Sequence, residues 1–239
     1  MEYRLEQVVT HGQNSQYRDF YIRRWISSLQ KSCKIIDVGA GPMPYKDLIK
    51  KNGLTYHSHD FEQYSANAND PGLQSEEWPV YGHDYVCDIT ELNASDYDYA
   101  ICTEVLEHVP NPAAALANIA KTVKPGGRIL ITLPFASRMH QAPFWFSSGL
   151  SRYWFEFHAP LNSLEIMNIT IAGDFVDQMI SESEQLLNPL MVRNFRIGRL
   201  ILRLLKNSES RIRRNLSADL LESGGIGIYV ELKRSEFQN

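Results

Sequence analysis

Lys34-Ile35-Ile36-Asp37-Val38-Gly39-Ala40-Gly41 reads as a short apolar strand that runs into a glycine turn. Further along, Arg128 to Leu133 is a nearly continuous apolar run, as suits a parallel strand covered on both faces. Gly39 and Gly41 remove side chains where the backbone must turn sharply into the helix pattern around Tyr45 to Lys51. They also let the backbone approach a ligand closely. Two phosphate-binding turns are excluded: no Gly-Lys-Ser/Thr follows, and the third glycine position of G-x-G-x-x-G holds Pro44. Taken alone, the turn is also consistent with a tight bend that binds nothing.

Outward from this segment, strands and helices alternate. A polar helix pattern, Arg18 to Lys31, comes before it. After it come strand patterns at Leu54 to Asp60, Tyr85 to Asp88 and Tyr99 to Cys102. An alanine-rich helix, Pro112 to Val123, stops at Lys124-Pro125-Gly126-Gly127, where proline and paired glycines cannot continue it. Arg128 to Leu133 is a fifth strand, Leu164 to Ile171 a sixth and Gly224 to Lys233 a seventh. This alternation predicts an α/β fold with a doubly wound, open sheet and a ligand crevice where the winding direction switches. Residues 136–222 depart from the pattern. Pro134 to Pro160 reads as an aromatic-rich loop, and Asp174 to Leu221 as a helical insertion between strands six and seven. The expectation is a single domain over residues 1–239, with a binding core at about 30–135 and a lid plus insertion at about 136–222.

Composition narrows the classes. The 239 residues carry 24 Lys+Arg against 28 Asp+Glu, a formal charge of −4, with 44% apolar content. Disordered and fibrous chains are excluded, and a dedicated nucleic-acid binder is disfavoured for want of a basic excess. Cys33, Cys87 and Cys102 are odd in number and widely spaced, with no Cys/His pattern of zinc-finger spacing. No metal ligands are assigned, and His57 and His59, alternating along a strand, are given structural roles. The polar start Met1-Glu2-Tyr3-Arg4 leads into no apolar signal core, and no apolar run approaches a membrane span. A cytoplasmic protein is the expectation.

The chemistry gathers at strand ends. Asp60 ends the second strand about twenty residues after the turn, where a carboxylate can accept from two ribose hydroxyls. Asp88, with Ile89, ends the third, where the acid could accept from an adenine amino group while isoleucine packs on the ring. Either aspartate alone could equally be a solvated helix N-cap. Three acids at successive strand ends suit a ligand with positive charge better than a pyrophosphate.

Lys34 to Gly41, Tyr99-Ala-Ile-Cys-Thr-Glu-Val-Leu-Glu-His-Val-Pro110 and Lys124-Pro-Gly-Gly-Arg-Ile-Leu-Ile-Thr-Leu-Pro134 together resemble, in order, three motifs of class I S-adenosylmethionine-dependent methyltransferases, type 11-like. The likeness covers about residues 30 to 135; Met43 departs from it where many members carry a third glycine. It implies a Rossmann-like seven-strand sheet with an antiparallel last strand, and S-adenosylmethionine as cofactor. It also implies that Asp37, Gly39, Ala40 and Gly41 hold the methionine end, that Asp60 holds the ribose, and that Asp88 and Ile89 hold the adenine. Thr103 and Glu104 then flank the sulfonium.

Methyl transfer is a displacement at a cationic sulfur, so alignment and exclusion of water come first and a base is needed only if the acceptor loses a proton. His108, in the turn after the fourth strand, and His140, after the fifth, are the candidates for that base; His108 could instead cap its helix. The aromatics Phe144-Trp145-Phe146 and Tyr153-Trp154-Phe155 could wall an acceptor pocket or form the packed base of a lid. Arg193, Arg196, Arg199, Arg203 and Lys206 recur at helical spacing, a basic amphipathic face that suits a weak membrane-surface contact through Arg193–Lys206 or plain solvation. The expected acceptor is a small molecule or a glycan, methylated on oxygen. No Asn/Asp-Pro-Pro-aromatic motif follows the fourth strand, which argues against a nucleic-acid base. A catalytically inactive S-adenosylmethionine-binding protein and a nicotinamide-dependent oxidoreductase are the alternatives.

Overall fold

Eight strands pair into one sheet in the computed structural model, which describes residues 3–10, 14–65, 69–73, 82–192 and 196–236. In chain order these are β1 (Arg4–Val8), β2 (Lys34–Val38), β3 (Thr55–Asp60), β4 (Tyr85–Val86), β5 (Tyr97–Thr103), β6 (Val123–Pro134), β7 (Leu164–Ala172) and β8 (Gly227–Arg234). Their spatial order is β1-β7-β8-β6-β5-β2-β3-β4. β8 runs antiparallel to both β6 and β7, while the other pairings are parallel. The winding reverses between β2 and β5, which places the crevice at the C-terminal ends of those two strands.

Period-two alternation along the strands builds the core on two faces. Ile35, Ile101 and Leu130 face α1 (Asn14–Ser27) and α2 (Lys46–Lys51), and they pack with Ile22, Trp25, Ile26 and Ile49. Ile36, Ala100, Cys102, Ile129 and Ile131 face the other way. There they meet Leu116 and Ile119 of α3 (Pro112–Thr122) and Phe155 of α4 (Arg152–Leu161).

Two expectations change. The sheet has an eighth strand, β1, which pairs with β7 at the sheet edge. An edge strand is held mainly by backbone hydrogen bonds, so its Arg-Leu-Glu-Gln-Val needs no strong apolar pattern. The aromatic segment read as loop also contains α4. Ser151 Oγ caps it by accepting from Trp154 N at 3.3 Å, and the buried Phe155 and Ala159 anchor its inner face. The helical insertion lies where it was expected, before the last strand: α5 (Phe175–Val192), α6 (Arg196–Asn215) and α7 (Ala218–Glu222). Arg193 lies outside the described residues. On α6 the apolar Ile197, Leu200, Ile201 and Leu204 are exposed rather than buried. Among the described residues no helix is long and apolar enough to cross a membrane.

Candidate functional site

The glycine turn leaves β2 beneath the ends of β3 and β5. Gly39 adopts φ +71°, and a Cβ there would run into the Val105 side chain, so both its backbone and its surroundings require glycine. The turn is tied to β3: Gly39 N and Ala40 N each donate to His59 O at 2.9 Å, and Gly41 N donates to Asp60 Oδ2 at 2.9 Å. His59 is 2% exposed, with its Nε2 3.0 Å from Cys87 O. It braces the strand end and also lines the first cavity.

Two adjoining cavities open above the turn. The first, of about 190 Å³, is lined by Gly39, Asp60, Asp88 and Ile89, with aromatic walls from Phe61, Tyr64, Phe144 and Phe146. The second, of about 400 Å³, is lined by Gly39, Ala40, Gly41 and Thr103, and beyond them by Glu107, His108 and His140. Gly39, Glu104, His108 and Gln141 line both, so the four mark the passage between them.

The residues singled out in the sequence fall into this frame, with one set back. Asp60 is buried at the end of β3, with its other oxygen accepting from Glu62 N at 2.9 Å. Asp88 accepts from Thr90 N at 2.8 Å and caps the short turn Ile89–Glu91, while also lining the first cavity. The N-cap and the cavity-lining position thus coincide in one residue. Asp37 lies behind the turn, 1% exposed, and accepts from the Tyr56 hydroxyl at 3.0 Å. Burial, with Asp60's charge adding, pushes its carboxyl up to about 7.

Glu104 sits at φ +55°, an unusual backbone for a residue with a side chain. Three contacts hold it there. Its N–H donates to Thr132 O at 2.9 Å, its Oε1 accepts from Thr132 Oγ1 at 3.0 Å, and its Oε2 pairs with Arg18 Nη1 at 3.1 Å. Sequence reasoning missed Arg18: a single arginine in a polar helix has no local marker, and only the packing of α1 on the sheet brings it here.

Beyond Glu104 the floor of the second cavity is Glu107, His108 and His140. Glu107 is 1% exposed and both carboxylate oxygens lack a hydrogen-bond partner. Burial, with Glu104 nearby, holds its carboxyl well above the usual range. His108 Nδ1 contacts Phe144 O, and burial pushes its imidazole down to about 4. His140 Nδ1 is 2.8 Å from Arg138 O, and the two rings stand edge to face with centroids 4.7 Å apart. The three residues' ligating atoms lie within 4.8 Å of one another. Residue spacing gave no sign of this set, because His140 comes 32 positions after His108.

The aromatics divide between two tasks. Phe144 and Phe146 line the first cavity, and Trp145 Nε1 donates to Ser137 Oγ at 3.2 Å. Phe155 is fully buried, and Arg152 donates to its neighbour Tyr153.

Known proteins resemble the chain at several levels. A family model described as a methyltransferase domain matches residues 9–174. A ubiquinone biosynthesis O-methyltransferase of Paracidovorax citrulli is 28% identical over 118 residues, 45% of this chain and 47% of that protein. One of the same name from Escherichia coli is 32% identical over 104 residues, 41% and 42% of the two chains. The matched stretch thus spans less than half the length of these relatives. The solved structure of magnesium protoporphyrin IX methyltransferase from Synechocystis PCC 6803, with bound S-adenosylmethionine, superposes with a TM-score of 0.51 at 13% identity. That superposition covers 92% of this chain and 80% of the other.

Proposed function

Because the chain belongs to the methyltransferase-domain family, we propose that it uses S-adenosylmethionine to methylate an oxygen atom of a small-molecule or glycan acceptor. The observation that carries this is the pair of adjoining cavities, joined at Gly39, Glu104, His108 and Gln141, with acids and aromatics in one and Glu107 and His140 in the other. The names of the curated relatives support oxygen as the atom methylated.

The first cavity fits an adenosyl group. Asp60 would accept from the ribose hydroxyls with lone pairs that Gly41 and Glu62 leave free, since an ionised carboxylate has about four acceptor sites. Asp88 and Ile89 would hold the adenine between polar edge and apolar face. Gly39, Ala40, Gly41 and Thr103 would border the methionine end, with Glu104's negative charge beside the sulfonium. Asp37 supports the turn from behind. When bound, S-adenosylmethionine supplies an electrophilic methyl group with a neutral thioether as leaving group. The chain's own tasks are to align the acceptor oxygen, keep water out with the aromatic walls, and receive the acceptor's proton at the Glu107, His108 and His140 cluster.

Calorimetric titration with S-adenosylmethionine, S-adenosylhomocysteine and NADH tests the reading. Saturable binding of the first two and none of the third is the expected result; NADH binding instead would select an oxidoreductase. A protein that binds both sulfur compounds yet methylates nothing across a panel of phenol, catechol and sugar acceptors would be an inactive binder.

A second reading concerns α6. Its exposed Ile197, Leu200, Ile201 and Leu204 lie among the exposed cations Arg199, Arg203 and Lys206, and the chain's net charge does not account for such a face. We infer a weak contact with an anionic lipid surface. Co-sedimentation with phosphatidylglycerol vesicles, lost at 0.5 M salt, is the expected outcome; equal sedimentation with neutral vesicles would remove the basic residues from the account.

A further inference from the structure

We propose that Glu107, His108 and His140 hold a divalent transition-metal ion at the floor of the second cavity. Three observations meet at this point. The ligating atoms of the three residues lie within 4.8 Å of one another. Each imidazole has its Nδ1 against a backbone carbonyl, Phe144 O for His108 and Arg138 O for His140, so the hydrogen sits on Nδ1 and the Nε2 lone pair is free. A carbonyl partner of this kind fixes the tautomer and ring direction of metal-bound histidines. Finally, the Glu107 carboxylate is buried with both oxygens unpartnered, a costly arrangement that a cation would relieve.

Distances agree with this. Two donors on a tetrahedral ion with bonds of about 2.1 Å stand roughly 3.4 Å apart. Glu107 Oε1 and His108 Nε2 are 3.8 Å apart, too far for a hydrogen bond and close to the spacing of two ligands. His140, half-buried on the segment after β6, completes the set within the 4.8 Å span.

Two imidazoles and one carboxylate suit manganese, iron, cobalt, nickel or zinc rather than magnesium or calcium. Three protein ligands leave at least one position open, the pattern of catalytic rather than structural sites. The open side faces the second cavity, where the methionine end of S-adenosylmethionine and the acceptor would meet, and this part of the inference rests on the methyltransferase reading. An acceptor hydroxyl placed there has its pKa lowered by the ion. With the ion bound, the ligating lone pairs of the cluster are occupied and no longer receive the proton; the O–H bond breaks with the proton leaving to solvent. An oxygen lone pair forms the new O–CH3 bond as the S–CH3 bond breaks, and that bond's electron pair stays on sulfur. Acceptors with two adjacent oxygens, such as catechols, could chelate the ion and would be favoured.

The test uses the full chain, stripped with EDTA and dialysed. Mn2+ and Co2+ are titrated calorimetrically, with visible absorption reporting Co2+, and S-adenosylmethionine affinity is measured in parallel. One saturable ion per chain is expected. Glu107→Gln and His140→Ala should each weaken it by at least about tenfold, with S-adenosylmethionine affinity within about twofold of wild type. Absence of saturable ion binding in a chain that still binds S-adenosylmethionine overturns the proposal while sparing the methyltransferase reading. Unchanged ion affinity in both variants overturns it as well. Ion binding without S-adenosylmethionine binding would keep the metal site and sink the reading of the reaction instead.

Discussion

Asp60 and Asp37 show how position within a few ångströms separates two acids that look alike in sequence. Asp60 lines the first cavity and also braces Gly41 and Glu62. Asp60→Ala is expected to weaken S-adenosylmethionine binding by about 1–3 kcal/mol through lost charge-assisted hydrogen bonds. Calorimetry on the folded variant checks this, and wild-type affinity would take Asp60 out of the site. Asp37 instead titrates out of reach of solvent. Its folded pKa, about 7, lies above the unfolded value of about 3.9. The stability it lends is therefore full below about pH 4 and is lost as pH rises through about 7. Asp37→Asn has no such loss. Between pH 5 and 8 the wild type should lose about 2–3 kcal/mol more than the variant, from the roughly two pKa units still to be crossed. Denaturant midpoints at the two pH values decide it; parallel changes would mean that Asp37 is ionised throughout.

The helical insertion depends on one arginine of α6. Arg213 Nε meets Asp174 Oδ2 at 2.6 Å and its Nη2 meets Asp177 Oδ1 at 2.8 Å, where α5 begins. Asp177 also accepts from Thr10 N at 3.1 Å, which ties in the segment after β1. Both aspartates are buried, so Arg213→Ala leaves two carboxylates without their cation, held by backbone N–H donors, and should cost about 3–5 kcal/mol. A melting temperature within a degree of wild type would show that solvent reaches them. At this scale the sequence was uneven. Long apolar strands such as β6 and the helix α3 declared themselves through periodicity and stop signals. β1 and α4 did not: β1 is polar and bound by its neighbour's backbone, and α4's aromatic run carries no clear polar face. Ser151 was its one local start signal, and it became meaningful only once Phe155 was seen to be buried.

Across the whole molecule, the partition into two cavities predicts that cofactor binding and turnover separate. His140→Ala should leave S-adenosylmethionine affinity within about twofold and lower kcat by tenfold or more. A matched loss in both would place His140 in the cofactor half instead. The doubly wound fold, the antiparallel last strand and the residues at the ends of β2 through β5 were legible in the chain itself. The alternation and the site positions follow from short-range rules: alternating apolar patterns, glycine where φ is positive, and acids just past strand ends; the antiparallel last strand came from the resemblance to the three methyltransferase motifs. Tertiary structure alone decided which of those acids line a cavity, that Arg18 pairs with Glu104, and that His140 joins Glu107 and His108. Those pairings join residues dozens of positions apart, and their strength comes from burial and low dielectric, which exist only after the sheet and its covering helices have closed.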